Sequence, residues 1–169
     1  RVAIEDPGDP VYLSEVIERV GLRPVPVEVD DRGLVVEALA ATGARAVVVT
    51  PTHQSPTGVA LAPDRRQALL AWARACDGLV IEDDYDSEFR HRGAPLPALA
   101  AVDTGGAVVH VGTFSKVLDP HLRCGYLVLP STGPHTENIL EARRARGPAV
   151  ATVLQHAMAH LMATGTLRR

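Results

Sequence analysis

Short runs of apolar, β-branched residues alternate along this chain with stretches that are apolar at every third or fourth position. Val2-Ala3-Ile4 reads as extended chain. Over 12–20 the spacing places Val16, Ile17 and Val20 on one helical face, and Gly21 ends the helix. Val25, Val27 and Val29 alternate with Pro and Glu over 23–29, a short strand. Residues 34–41 are apolar at helical spacing and stop before Gly43. Residues 46–49, Ala-Val-Val-Val, are a run of the kind buried on both faces of a sheet. A loop with Pro51, Pro56 and Gly58 follows. Pro63 suits the first turn of a helix, where a missing N–H costs nothing, and Leu69, Trp72, Ala73 and Cys76 then share a face. Residues 78–81, 107–111 and 126–129 read as further buried strands, with an irregular connection over 90–106. Residues 137–146 look helical. An amphipathic helix over 149–163 aligns Val150, Val153, Leu154, Ala157, Met158 and Leu161, and part of that stripe is expected to stay exposed.

Short strands alternating with helices predict βαβ units: an α/β fold with a mainly parallel sheet and helices on both faces. There is no internal repeat. In such sheets ligands bind beyond the carboxyl ends of the strands. Polar residues collect at those ends: His53-Gln54-Ser55, then Asp83-Asp84-Tyr85, then Thr113-Phe114-Ser115-Lys116.

Composition narrows the class. With 169 residues, 46% hydrophobic and 22% charged, the chain is one globular domain and not a disordered segment. No window reaches the length of a membrane span, and no basic-apolar leader precedes the first strand. The formal charge of -3 argues against a nucleic-acid grip by the chain as a whole. Cys76 and Cys124 form neither a disulfide framework nor a metal knuckle; they read as reduced small hydrophobes of a cytoplasmic protein. The chain has no initiator Met and stops on a helical run, so it is expected to be a piece of a longer protein. Of its 17 basic residues, 16 are arginine and one is lysine, Lys116. A lone lysine in an arginine-rich chain is either chance or chemistry. An arginine keeps its proton, whereas a lysine amine can lose its proton and act as a nucleophile.

Two stretches carry candidate chemistry. In GLVIEDDYDSE (78–88) a buried strand runs into acids. A phosphate-loop NTPase is excluded because no GxxxxGK[ST] exists. Two readings remain besides a solvated acidic loop, which accounts for Asp86 and Glu88. Asp83 and Asp84 can hold a divalent metal, or one carboxylate can face a cationic ring nitrogen. In VGTFSKVLDPHLRCGY (111–126) the hydroxyls of Thr113 and Ser115 flank Lys116, and Arg123 follows seven residues on. Hydroxyls with an arginine fork suit a phosphate, and the lysine suits an aldehyde. A phosphate, an aldehyde and a ring nitrogen in one molecule describe pyridoxal 5′-phosphate, whose ring nitrogen an aspartate keeps protonated. Tyr85 can donate to its phenolic oxygen. His53, in the loop over the site, reads equally as a ligand neighbour or a loop hydrogen bond; His110, Trp72 and the Arg143, Arg144 and Arg146 cluster read as a satisfied core histidine, a core ring and a solvated helix face.

These stretches resemble the fold-type-I pyridoxal-phosphate enzymes of the aminotransferase class I/II group. They resemble most the effector domain of MocR/GabR-type regulators, GntR-family transcription factors with a winged helix fused to an aminotransferase-like domain. The resemblance rests on TPTHQSPTG (50–58), DRRQALLAWA (64–73), IEDDYDSEFRHRGAPLPAL (81–99) and HVGTFSKVLDPHLRCGYLVLP (110–130). It extends over nearly the whole chain, as an incomplete large domain. It implies that Lys116 carries the cofactor aldimine, Asp83 pairs with the pyridine nitrogen, and Tyr85 reaches the phenolic oxygen. Arg123, Thr113 and Ser115 would hold the phosphate. Ser55 stands where plain aminotransferases have the Asn of NPTG, which puts efficient transamination in doubt. Asp119-Pro120-His121 and Asp9 also depart from the pattern. The implied function is a sensor in which a small amino compound displaces Lys116, in a protein that is homodimeric at full length. Its DNA contacts would come from a winged helix outside this chain, as would the C-terminal small domain. A free-standing class I/II aminotransferase and a metal-dependent α/β domain are the rivals.

Overall fold

The computed structural model describes residues 1–8, 10–86, 96–133 and 135–168; Asp9 and Glu88 lie outside them. Among the described residues seven strands form one sheet: β1 Val2–Asp6, β2 Pro24–Asp30, β3 Gly33–Leu34, β4 Ala46–Val49, β5 Leu79–Asp84, β6 Val108–Thr113 and β7 Gly125–Val128. Their order is β3-β2-β1-β4-β5-β6-β7. The five inner strands run parallel, and β3 and β7 are antiparallel edges. From β1 the chain moves outward to β2 on one side and to β4 on the other. The strand order therefore reverses between β1 and β4, which opens a crevice at their carboxyl ends.

Helices cover both faces, as the alternating pattern predicts. On one face α1 (Pro10–Arg19) packs Leu13 and Ile17 against Val2, Ile4, Ala46 and Val48. On the other face α2 (Leu39–Thr42), α3 (Pro63–Cys76) and α4 (Leu99–Val102) close the main core. That core holds Ala3, Val27, Val29, Val47, Val49, Val80 and Val108 from the strands, with Leu39, Leu69, Ala73 and Leu99 from the helices. Successive strand residues thus serve opposite faces. Each fully buried Leu or Val contributes roughly 1.5–3 kcal/mol. Pro63 opens α3, and Asp77 ends it in the left-handed conformation with its N–H on the Ala73 carbonyl. Buried Arg65 forks onto Asp30 at 2.5 and 2.6 Å and donates to the Gly33 carbonyl, tying α3 to the exit of β2.

Several expected elements are corrected. Leu34 belongs to β3, not to a helix. It pairs with Val29 and is wholly buried, so strand pairing overrides its helical spacing, and regular helix begins only at Leu39. In β4 only Val47 and Val49 are fully buried, because α1 covers the other face incompletely. Strand β7 is not a buried strand: as an antiparallel edge it leaves Leu127 and Val128 half exposed. On α1 the buried residue is Ile17, while Val16 and Val20 face outward.

The helices α5 (Thr136–Ala145) and α6 (Thr152–Ala163) complete the fold. Arg143, Arg144 and Arg146 are solvated, as expected. Of the α6 stripe only Met158 is buried, against Phe114 and Cys124, and Val153 is exposed. Among the described residues no helix is long and apolar enough to cross a membrane.

Candidate functional site

At the switch point lies a cleft of about 250 Å³, lined among others by Glu5, Tyr12, Thr50, Ser55, Asp83 and Tyr85. Strand β5 supplies its floor. Its last residues alternate: Val80 enters the core on the α3 face, so Glu82 and Asp84 follow on that side and Asp83 turns into the cleft. Asp83 makes no ion pair or hydrogen bond among the described residues. Burial pushes its carboxyl above the ordinary range, the Asp84 charge adds to the shift, and His110 opposes it.

The reverse face is satisfied. Glu82, 1% exposed, accepts the Leu99 and Ala100 N–H groups at 2.7 and 3.1 Å and pairs with His110 Nδ1 at 3.1 Å. Burial raises its pKa, yet the hydrogen bonds from His110 and the two backbone amides outweigh it and leave the carboxyl below its usual value. His110 is held above its ordinary pKa by that same hydrogen bond. Its Nε2 lies 3.8 Å from Asp84 Oδ2. His110 is therefore a partnered core histidine, as its apolar strand suggests.

Tyr85 follows β5. Its hydroxyl donates to the His53 carbonyl at 2.9 Å, and Ser55 lines the same cleft. Burial raises the phenol pKa, and the charges of Asp86, Asp83 and Glu5 push the same way against the Ser55 contact, which lowers it. The His53 ring stacks on Tyr85 at 6.1 Å, and its Nδ1 sits 2.6 Å from Asp86. Asp86 is thus a partnered residue, not the solvated acid expected from sequence. The Lys116 ammonium lies over the Tyr85 ring, 4.4 Å from its centroid, an arrangement the ring's negative face favours.

Lys116 stands in the turn after β6. Thr113 Oγ1 accepts the Ser115 N–H at 3.1 Å, which shapes the entry to that turn. Phe114 points the other way, into the cluster with Cys124 and Met158. Arg123 follows the 3-10 turn Pro120–Leu122 in a left-handed conformation, with φ of 46°. Asp119 caps that turn by accepting the His121 N–H, a local reason for the Asp-Pro-His departure. The Arg123 side chain is exposed and has no hydrogen bond or ion pair among the described residues.

The structure therefore gathers Asp83, Tyr85 and Ser55 around one cleft, and Lys116 lies over the ring of Tyr85 at its side. Thr113, Ser115 and Arg123 sit on the adjoining β6–β7 connection. Asp83 and Asp84 face opposite sides of the strand, and among the described residues no three His, Cys, Asp or Glu side chains converge as metal ligands. Two residues escaped the sequence reading. Glu5 is the next-to-last residue of β1, as Asp83 is of β5, an acid close behind an apolar run. Gln54 is 1% exposed, yet its place inside a Pro- and Gly-rich loop gives no sign of burial.

The aminotransferase class I and II family model matches residues 9–168. The HTH-type pyridoxine biosynthesis transcriptional regulator PdxR of Corynebacterium glutamicum is 43% identical over 169 residues, all of this chain and 36% of that protein. The HTH-type transcriptional regulator TauR of Rhodobacter capsulatus is 43% identical over 164 residues, 97% of this chain and 32% of that one. The chain spans about a third of the length of these curated relatives. Among solved structures, the Pyrococcus horikoshii kynurenine aminotransferase in complex with PMP superposes with a TM-score of 0.83 at 30% identity, covering 99% of this chain and 43% of that chain. Parallel strands that deliver an aspartate, a tyrosine and a single lysine to one cleft agree with these matches: the chain belongs to the aminotransferase class I and II family.

Proposed function

We propose that this chain is the pyridoxal-phosphate-binding effector domain of a MocR-type, GntR-family transcriptional regulator. One observation carries the site: the chain's single lysine rests on the Tyr85 ring, and Tyr85 lines a cleft with Asp83, a carboxylate that has no cation among the described residues. The regulator names of its relatives carry the biological role.

The donor set fits the cofactor. Among the described residues Asp83 has no cation, the Arg123 guanidinium no anion and Lys116 no carboxylate, so each group's need would be met by a different part of one ligand. Asp83 would take the ring nitrogen, Tyr85 and Ser55 the phenolic oxygen, and Arg123, Thr113 and Ser115 the phosphate. Bound there, pyridoxal phosphate supplies an aldehyde reactive toward primary amines and a ring that withdraws electrons when its nitrogen is protonated. Asp83 holds the proton at that nitrogen. Its buried setting strengthens the pairing, because a charge removed from water gains more from a partner. The Tyr85 ring shields one side of the Lys116 amine from solvent, and its O–H, accepted by the His53 carbonyl in this structure, would turn to the cofactor's phenolic oxygen. The sensed molecule is a small primary amine or amino acid that competes with the Lys116 amine. Contact with DNA would come from a winged helix outside these residues, in a full-length homodimer.

A plain aminotransferase is the second reading, favoured by the solved neighbours; Ser55 at the phenolic-oxygen position weighs against it. Borohydride reduction of the full-length protein with pyridoxal phosphate, followed by peptide mapping, tests the site. The label belongs on the Lys116 peptide, and a label elsewhere refutes it. An amino compound that alters operator affinity without being turned over supports the regulator. Turnover with no effect on DNA supports the enzyme.

A further inference from the structure

The 50–58 loop is built around a buried amide. Gln54 Nε2 donates to the Pro7 and Ser55 carbonyls, each at 2.7 Å, which uses both of its protons. Its third neighbour, Glu5 Oε2 at 3.4 Å, is a weak contact. Gln54 Oε1 accepts the Thr57 N–H at 3.1 Å and the Thr57 hydroxyl at 2.6 Å. The backbone joins in: Gln54 N–H reaches Val59, and Gly58 N–H reaches the Gln54 carbonyl. Glu5 anchors the start of the same loop, taking the Thr50 N–H at 3.1 Å and the Thr50 hydroxyl at 2.6 Å. One side chain thus ties the exit of β1 to the exit of β4. Only an amide offers two donors and an acceptor on one planar end; a carboxylate or an apolar chain of the same length does not.

The two residues that flank Gln54 are neighbours of the Tyr85 phenol: the His53 carbonyl accepts its proton at 2.9 Å, and Ser55 lines the same cleft and acts to lower the phenol pKa. We propose that Gln54, braced by Glu5, is a positioning residue for this site: its amide locks the loop so that His53 and Ser55 meet the Tyr85 phenol. The identity of the molecule that phenol serves rests on the function proposed above; the geometry of the lock does not.

The test is made in the full-length protein with Gln54→Met, which keeps the chain length and removes every amide hydrogen bond, and with the milder Thr57→Val. The first readout needs no cofactor. It is the titration of the Tyr85 phenol, isolated as the signal lost in Tyr85→Phe. The titratable groups facing that ring are Asp86, Asp83, Glu5, Lys116 and the stacked His53; neither substitution replaces any of them, and of their contacts Gln54→Met removes only the weak 3.4 Å one to Glu5. Burial holds the Tyr85 phenol above its ordinary value, a larger influence than the Ser55 contact that opposes it; opening the loop in Gln54→Met is expected to expose the phenol and bring it down toward that value, and Thr57→Val part of the way. The second readout is pyridoxal-phosphate retention, expected to fall about tenfold in Gln54→Met and much less when Ser55 is already alanine. An unchanged Tyr85 titration in folded Gln54→Met overturns the proposal. If that variant does not fold, an unchanged titration in Thr57→Val does so. A shifted phenol with full cofactor retention overturns it too. If the wild type takes up no pyridoxal phosphate, the functional reading falls, while the phenol titration still decides the role of Gln54.

Discussion

Exchanging Asp83 for asparagine is expected to move binding and stability in opposite directions. Asp83 faces the cleft without a cation among the described residues, and burial raises its carboxyl above the ordinary 3.8. An acid whose folded pKa is raised opposes folding when ionised. That penalty is in force above the folded pKa and disappears as pH falls below 3.8. Asparagine removes it, so the cofactor-free variant keeps or gains unfolding free energy at neutral pH, and the difference closes in acid. The same change removes the partner of the ring nitrogen. A charge-assisted hydrogen bond contributes about 1.5–3 kcal/mol, so cofactor retention falls about 10- to 150-fold. Asp84→Asn is the control. It lies one residue on, faces His110 across 3.8 Å, and is expected to leave retention nearly unchanged. Urea unfolding of the cofactor-free protein and equilibrium dialysis of pyridoxal phosphate measure the two effects. If Asp83→Asn destabilises the protein and leaves retention intact, or if both variants weaken retention equally, the assignment of Asp83 is wrong.

Replacing Glu82 with glutamine is expected to cost about 1–3 kcal/mol, since it disturbs a buried set of three donors. The pair also sets a pH window. The depressed Glu82 contributes stability above about 4.5 that is lost as pH falls through its folded pKa, and the raised His110 contributes stability below about 6.5 that is lost as pH rises through its own. A pH profile of unfolding free energy that is the same with and without Glu82 would refute this. Leu69→Ala empties a fully buried position under the sheet and should cost about 2–5 kcal/mol; denaturant titration showing under about 1 kcal/mol would place Leu69 outside the core. Gly112→Ala puts a methyl group into the Tyr126 ring, so β7 must shift, at about 1–3 kcal/mol, read as faster hydrogen exchange in 125–128 than in β4.

The strand runs 46–49, 78–81 and 107–111 were legible because β-branched residues cluster where a sheet is covered. Their burial was legible only in part, since it depends on which helix arrives on which side. Strand β7 carries the same kind of run, Tyr126-Leu127-Val128, but stands at the edge, so its side chains stay half exposed. Leu34 has helical spacing within 34–41, and a two-residue pairing with β2 defeats it. Among the site residues, Asp83, Tyr85 and Lys116 were legible from residue type and position after strands. Asp86 was not, because its partner His53 is 33 positions away. Gln54 was not, because nothing local distinguishes a buried amide from a loop amide.

The sequence Ile-Glu-Asp-Asp at the end of β5 shows how one strand separates two uses of the same chemical group. Three consecutive carboxylates would repel one another if they shared a surface. The two-residue repeat sends Glu82 and Asp84 to the α3 side and Asp83 to the cleft. On the α3 side one histidine lies within reach of both acids, and two backbone amides of α4 complete Glu82. On the cleft side no compensation is present among the described residues, and Asp83 bears the desolvation cost. A slip of one residue in the β5–β6 register, Glu82 opposite His110, would exchange these roles. Asp83 would then meet the histidine, and the acids left facing the cleft would be Glu82, which now holds the α4 amides, and Asp84. The pairing of Glu82 with His110 therefore supports the site from behind: it stabilises the one register in which the uncompensated carboxylate faces the cleft shared by Tyr85 and Lys116.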